Sequence, residues 1–127
     1  PMSAFAALSL QNNAAVAQAF NPQSKDASGV SFWLGTETVL DAKKKITMSV
    51  TLPKNGSTVS RVKQRVIVPV MDTVDTTKKV AEAYVDVVFV LPKQASETIR
   101  LDLRKYADQL LINAVTTAAV QNFEDVY

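Results

Sequence analysis

Lys43–Pro69, KKKITMSVTLPKNGSTVSRVKQRVIVP, is the stretch on which the reading of the whole chain turns. Ile46, Met48, Val50 and Leu52 alternate with Lys45, Thr47, Ser49 and Thr51, the period-2 signature of a strand buried on one side only. Asn55-Gly56 supplies a turn. On the return arm Val62, Val66 and Val68 alternate with Arg61, Lys63, Arg65 and Ile67, and only Gln64 interrupts the apolar set. The stretch therefore predicts a β-hairpin with one apolar and one cationic face. Between Ala42 and Met71 there is no Asp or Glu, although seven of the chain's 14 Lys and Arg fall there, so the cationic face needs an anion from elsewhere.

Working outward, the chain of 127 residues has one domain's length, and 47% hydrophobic with 20% charged residues is a globular composition. The net charge of only +2 means that any affinity for nucleic acid must come from where the cations sit. Without cysteine there is neither a disulfide framework nor a thiolate metal site, which fits a cytoplasmic product. Ser3–Leu10 is apolar but too short to span a bilayer and lacks the basic start of a signal peptide, so no membrane partner is expected. Pro1 at the head of the chain is consistent with removal of an initiator Met.

Residues 4–20 read as a small N-terminal hairpin turning at Gln11-Asn12-Asn13, although their alanines suit a helix as well. Asn21–Ser28, with Pro22, reads as a loop, Gly29–Leu34 as a strand and Gly35–Asp41 as a turn or short strand. Asp72–Lys79, DTVDTTKK, is polar and aperiodic and reads as an exposed, mobile loop. In Val80–Leu91, Val85, Val87, Phe89 and Leu91 share one face while Tyr84 and Asp86 begin the other, and Pro92 ends the strand. Ser96 then caps a helix with Glu97 in its first turn and Ile99, Leu103, Tyr106 and Leu110 along one stripe. The β-branched run Val115-Thr116-Thr117 predicts a break near Asn113 before a second helix.

The order, strands then helices, predicts an α+β fold with helices on one face of an antiparallel sheet: a single domain over 1–127, with the sheet at about 29–92 and the helices at about 96–124. One amphipathic helix and a short second one are little cover for such a sheet, and a partner subunit would supply the rest.

For catalysis the chain is poorly equipped. It has no His, no Cys and only three Gly, which removes the commonest general base, the thiol nucleophile and a phosphate-cradling loop. Acid pairs remain (Glu37 with Asp41, Asp72 with Asp75, Glu124 with Asp125), and solvated surface is the simpler account of all three. No catalytic residue, metal site or cofactor is expected. The cationic face has a bland account too, as a solvent-facing strand whose Lys and Arg oppose aggregation. Against it, Arg61, Lys63 and Arg65 form a ladder of like charges beside Thr47 and Ser49, and like charges at alternate positions repel unless an anion joins them. Should Val80–Leu91 pair beside the second arm, Tyr84 and Asp86 join that face, and a ring among cations and hydroxyls is how an unstacked RNA base is held. Tyr84 reads equally as a half-buried strand tyrosine, and Trp33 as packing.

Several segments in this order carry a resemblance: GVSFW entering the sheet, KITMSV, RVKQRVIVPV before the polar loop, AYVDVVF, the helix start at Ser96–Arg100, and the terminal Tyr127. From Phe5 onward the chain resembles the coat proteins of the small single-stranded RNA bacteriophages, the leviviruses. The resemblance implies an N-terminal β-hairpin, a five-stranded antiparallel sheet and two C-terminal helices, with two subunits interlocking into an obligate homodimer that has a continuous ten-stranded sheet. It further implies assembly of dimers into an icosahedral shell in the cytoplasm of a bacterial host, giving a virion that packages genomic RNA. An operator stem-loop at the replicase start would be bound to repress translation. Carried over by position, Lys45, Thr47, Ser49, Lys63, Arg65, Tyr84 and Asp86 fall where family members contact RNA, and Val30 where a small apolar side chain touches a base. Asp72, Thr73, Val74, Asp75, Thr76, Thr77, Lys78 and Lys79 correspond to the loop that meets its copies around the symmetry axes. Lys63 stands where a family member can have threonine, Thr51 where a basic residue can occur, and Asp86 where an amide can. Two rival readings remain at this point: an RNA-binding regulator that builds no shell, and a hydrolase using clustered carboxylates.

Overall fold

The computed structural model describes residues 5–53, 56 and 58–125. Its first unit, 1–90, is an antiparallel meander. Strands β1 (Leu8–Gln11), β2 (Ala17–Lys25), β3 (Ser31–Gly35), β4 (Lys45–Thr51), β5 (Val59–Met71) and β6 (Lys79–Pro92) lie side by side in chain order in one six-stranded sheet.

Alternation in β4 and β5 does what the sequence implies. Ile46 stands opposite Val66 and Val50 opposite Val62, whereas Thr47 faces Arg65, Ser49 faces Lys63 and Thr51 faces Arg61. Cross-strand partners share a face, so the apolar and cationic sets separate. On the apolar side the pairing continues from Ile46 to Trp33, and Phe20 stands opposite Gly35 in β3 and Leu8 in β1. Phe20, Trp33 and Ile46 are buried, with Leu8, Met48 and Val66 packed against them. Trp33 also fastens the segment before β1. Its indole Nε1 donates to the Ala6 carbonyl at 2.9 Å, and the Phe5 ring meets it edge-on with centroids 5.2 Å apart.

The expected N-terminal hairpin is present and runs straight on into the sheet, because β2 pairs with β3 as well as β1. Asn12 closes its turn by accepting from the N–H groups of Ala14 and Val16, with Ala15 held at φ +61°. One segment here differs from the sequence reading. Asn21–Lys25 is strand and not loop. Pairing to β1 stops at Phe20, so Pro22 sits where no outer neighbour needs its missing N–H, and the register shifts between Pro22 and Ser24. Of the two readings of Gly35–Asp41, turn or short strand, the turn is the one the chain adopts after Gly35. The stretch ends in a single 3-10 turn at Leu40–Ala42, and the Glu37 carboxylate folds back to accept from the Lys44 N–H. Asn55 of the expected turn lies outside the described residues, as does Tyr127; Gly56 has φ +83°, a turn conformation that glycine adopts without strain.

The second unit, 91–127, holds helices α1 (Glu97–Ile112) and α2 (Ala114–Asn122). The Ser96 hydroxyl accepts from the Ile99 N–H, the expected N-cap. Asn113 makes the break, its extended backbone ending α1 while its side-chain oxygen caps α2 at the Val115 N–H. Neither helix has a buried residue, and the α1 stripe stays open, with Tyr106 70% and Leu110 62% exposed. Among the described residues, only Phe20, Trp33 and Ile46 are buried hydrophobic side chains. Among the described residues, many large apolar side chains of β6, α1 and α2 are exposed in a single copy.

Candidate nucleic-acid interface

The side of the sheet opposite Ile46 is assembled from four strands. β4 contributes Lys45, Thr47 and Ser49, and β5 contributes Arg61, Lys63 and Arg65 at every second position. β6 is hydrogen-bonded beside β5 and brings Tyr84 and Asp86 to Arg65. From β3, Phe32 stands opposite Thr47 and Leu34 opposite Lys45, so the alternation that buries Trp33 sends half-buried apolar side chains to the polar side. Val30 lies just ahead of β3. Its N–H donates to Asp26 Oδ1 at 2.9 Å and its carbonyl accepts from the Asp26 N–H at 2.9 Å, which ties the loop before β3 into one conformation.

Arg65 is the best-connected cation on this face. Its Nε donates to Asp86 Oδ1 at 2.5 Å and its Nη2 to Asp86 Oδ2 at 2.8 Å, a bidentate pair, while the guanidinium carbon lies 4.6 Å from the centroid of the Tyr84 ring. The Asp86 carboxyl is held below its ordinary value, first by the Arg65 hydrogen bonds and then by the charges of Arg65 and Lys63. Arg65 is correspondingly raised, chiefly by its hydrogen bonds to Asp86. The ladder of like charges is thus partly answered from within the molecule. The acid comes from β6, beyond the hairpin, and the two side chains remain 42% and 32% exposed.

Glu82 is a member of this surface that sequence reasoning missed. It precedes Tyr84 by two positions, its Oε1 accepts from Lys79 Nζ at 2.6 Å, and its carboxyl is lowered by Lys79 first, with a smaller contribution from Lys45. The signal was in the period, since Glu82, Tyr84 and Asp86 occupy alternate positions of one strand. Phe32 was legible in the same way.

The polar loop between β5 and β6 is shorter by one residue than the sequence implies, because Lys79 opens β6. It also has its own framework. Asp72 Oδ1 accepts from the Val74 N–H, Asp75 Oδ1 from the Thr77 N–H and hydroxyl, and Asp72 N–H donates to the Lys78 carbonyl at 2.8 Å. The Thr77 hydroxyl is the main reason that the Asp75 carboxyl lies below its usual range. Val74, at the tip, is 93% exposed. These bonds also show where two of the paired acids are spent, and Glu37 is likewise used by Lys44.

A family model described as levivirus coat protein matches residues 3–127. The chain belongs to the levivirus coat protein family. It is therefore a structural capsid protein and virion component, not an enzyme. Among solved structures, this levivirus coat protein matches the virus-like particle of Beihai levi-like virus 21 with TM-score 0.90 and 18% identity over 98% of this chain and 99% of that one. It matches the virus-like particle of bacteriophage NT-214 with TM-score 0.83 and 26% identity, over 98% and 100% of the two chains. An unassembled bacteriophage coat protein dimer described as RNA-binding gives TM-score 0.69 and 17% identity over 97% and 98%. No curated protein matches the sequence significantly. The likenesses at 17% and 18% identity establish a shared fold, the α+β arrangement of antiparallel sheet and two C-terminal helices.

Proposed function

We propose that this coat protein pairs with a second copy of itself along β6, assembles as dimers into an icosahedral shell in the bacterial host's cytoplasm, and holds single-stranded genomic RNA on the Lys45-to-Asp86 face. An operator stem-loop at the replicase start is its specific ligand, and binding there represses translation. The observation that carries this is the separation of the sheet into two sides, one with the cluster of Phe20, Trp33 and Ile46 and the other with four cations, the hydroxyls of Thr47 and Ser49, and the Tyr84 ring. Phosphates meet the first kind of group and an unstacked base the last.

Pairing along β6 is supported by its position. It is the last strand in the order and 14 residues long, so among the described residues one of its edges pairs with no other strand of the sheet. Long free edges recruit another strand unless they are blunted. The open stripe of α1 is further apolar surface for the partner to cover. An unassembled relative is a coat protein dimer described as RNA-binding, which supports both halves of the reading. The loop from Asp72 to Lys79, with Val74 outermost, is the contact between dimers.

Electron microscopy and size-exclusion chromatography of the purified full chain test the proposal. Closed particles absorbing as nucleoprotein are expected. A small species that binds RNA without forming particles would replace the shell with a free regulator. Particles empty of RNA would leave a shell with no role for the polar face.

A further inference from the structure

The Arg65 guanidinium covers part of the Tyr84 ring, although the residue as a whole stays 62% exposed. The guanidinium lies against the ring at 4.6 Å, the distance of a cation held by a ring's quadrupole, and the two hydrogen bonds that it donates to Asp86 fix it there. Tyr84 and Asp86 are two positions apart on β6, so Arg65, reaching across from β5, meets both at once. A base that stacks on Tyr84 needs the ring surface that the guanidinium occupies. The two compete for that face of the ring.

We propose that Arg65 and Asp86 form a latch over Tyr84 that RNA must open, and that Asp86 is the positioning residue that sets the closed state. This rests on the reading of the face as an RNA site and adds a regulatory step to it. Opening moves the guanidinium from one anion, the Asp86 carboxylate, to another, an RNA phosphate. The exchange leaves Asp86 without its partner and Tyr84 bare. An RNA with an unstacked base repairs both losses, because the base covers the ring and an exocyclic amino group donates to Asp86. A ligand that offers phosphates alone repairs neither. The latch therefore works against phosphate-only binding and favours ligands that present a base.

The test uses the full chain and two fluorescent probes of equal length and charge, an oligoadenylate and an abasic oligoribonucleotide, titrated by anisotropy. Asp86→Asn is expected to tighten binding of the abasic probe by about two- to fivefold, the range of an exposed ion pair, and to change oligoadenylate binding less. Preference for the base-bearing probe then falls. Glu82→Gln removes the same charge from the same strand without touching Arg65, and should tighten both probes equally. In an Arg65→Gln background the effect of Asp86→Asn on preference should vanish. Equal behaviour of Asp86→Asn and Glu82→Gln, or an undiminished effect in the Arg65→Gln background, would overturn the latch and leave Asp86 as a repulsive charge only. If Lys63→Ala and Tyr84→Ala leave both affinities unchanged, the RNA reading itself fails, and the latch with it.

Discussion

Replacing Ile46 with alanine should destabilise the fold far more than the same kind of truncation at Val50, four positions along the same strand and on the same face. Ile46 is 6% exposed and stands between Trp33 of β3 and Val66 of β5, whereas Val50 is 55% exposed. Truncation of Ile46 removes roughly three buried carbons, worth about 2.4 kcal/mol at about 0.8 kcal/mol each. Trp33 and Val66 are anchored in flanking strands and collapse only partly into the space, so a cavity contribution brings the loss to about 3 kcal/mol. Val50→Ala, at a wet position, should cost about 0.5 kcal/mol or less. Urea unfolding at one fixed protomer concentration, which matters because association contributes to apparent stability, should then show midpoints about 1–2 M apart for a slope of about 1.5–2 kcal/mol per M. Equal midpoints for the two variants would refute the assignment of the core to this face. They would also undo the assignment of Lys45 and Thr47 to the opposite one, since these flank Ile46 and point away from it.

Lys63→Ala should weaken binding to every RNA and flatten the dependence of log K on log salt by about 0.7, as loss of one phosphate contact on a single strand does, measured by filter binding across a salt series. Tyr84→Ala should instead cost about 1–3 kcal/mol of stacking on base-bearing RNA and leave particles intact by electron microscopy. Acid should destabilise the chain: the carboxyls of Asp26, Asp75, Glu82 and Asp86 are all lowered on folding, so the stability they contribute is complete above the ordinary carboxylate range of about 4 and is lost as pH falls through their folded values. Urea midpoints that hold steady from neutral pH to pH 3 would contradict this. Ala15→Gly should raise the midpoint, because relief of about 1–2 kcal/mol of left-handed strain exceeds the added freedom of glycine in the unfolded chain.

The legible parts of the chain were those in which an element with one apolar face stamps its period on the sequence. β4 and β5 show it in Ile46, Val50, Val62 and Val66 against Thr47, Ser49, Lys63 and Arg65, and α1 in its Ser96 cap and apolar stripe. From these the two-sided sheet and the strands-then-helices order followed. Pro22 misled because its effect depends on what lies beside it. A proline marks a loop unless the neighbouring strand has already ended, and that ending at Phe20 is a fact about β1 and not about Pro22. Gly35–Asp41 stayed open between turn and short strand because a strand needs a neighbour to bond with, and there the Glu37 side chain takes the Lys44 N–H instead. The Arg65–Asp86 pair was hidden for a third reason. That Tyr84 and Asp86 could join the cationic face was readable from alternation in β6, but which cation meets which acid depends on the register across the loop from Asp72 to Lys78, and no residue pattern fixes that.

If the proposed RNA face and the proposed β6 pairing both hold, recognition is tied to association. β6 carries Tyr84, Asp86 and Glu82, and it is also the sheet's last strand. Pairing it with its copy joins the two polar faces into one surface, with the aromatic and acidic residues of both subunits along the seam and the β4 and β5 cations to either side. A free β6 edge in water would fray first, and fraying would loosen the Arg65–Asp86 pair together with the ring it covers. Dimerisation in the proposed arrangement thus orders the strand that reads the base. RNA that spans the seam touches cations from both copies and so stabilises the pairing in return, since whatever binds the joined form shifts the equilibrium towards it. On the proposed reading the same strand serves as subunit contact and as RNA reader, and a change in either role is felt in the other.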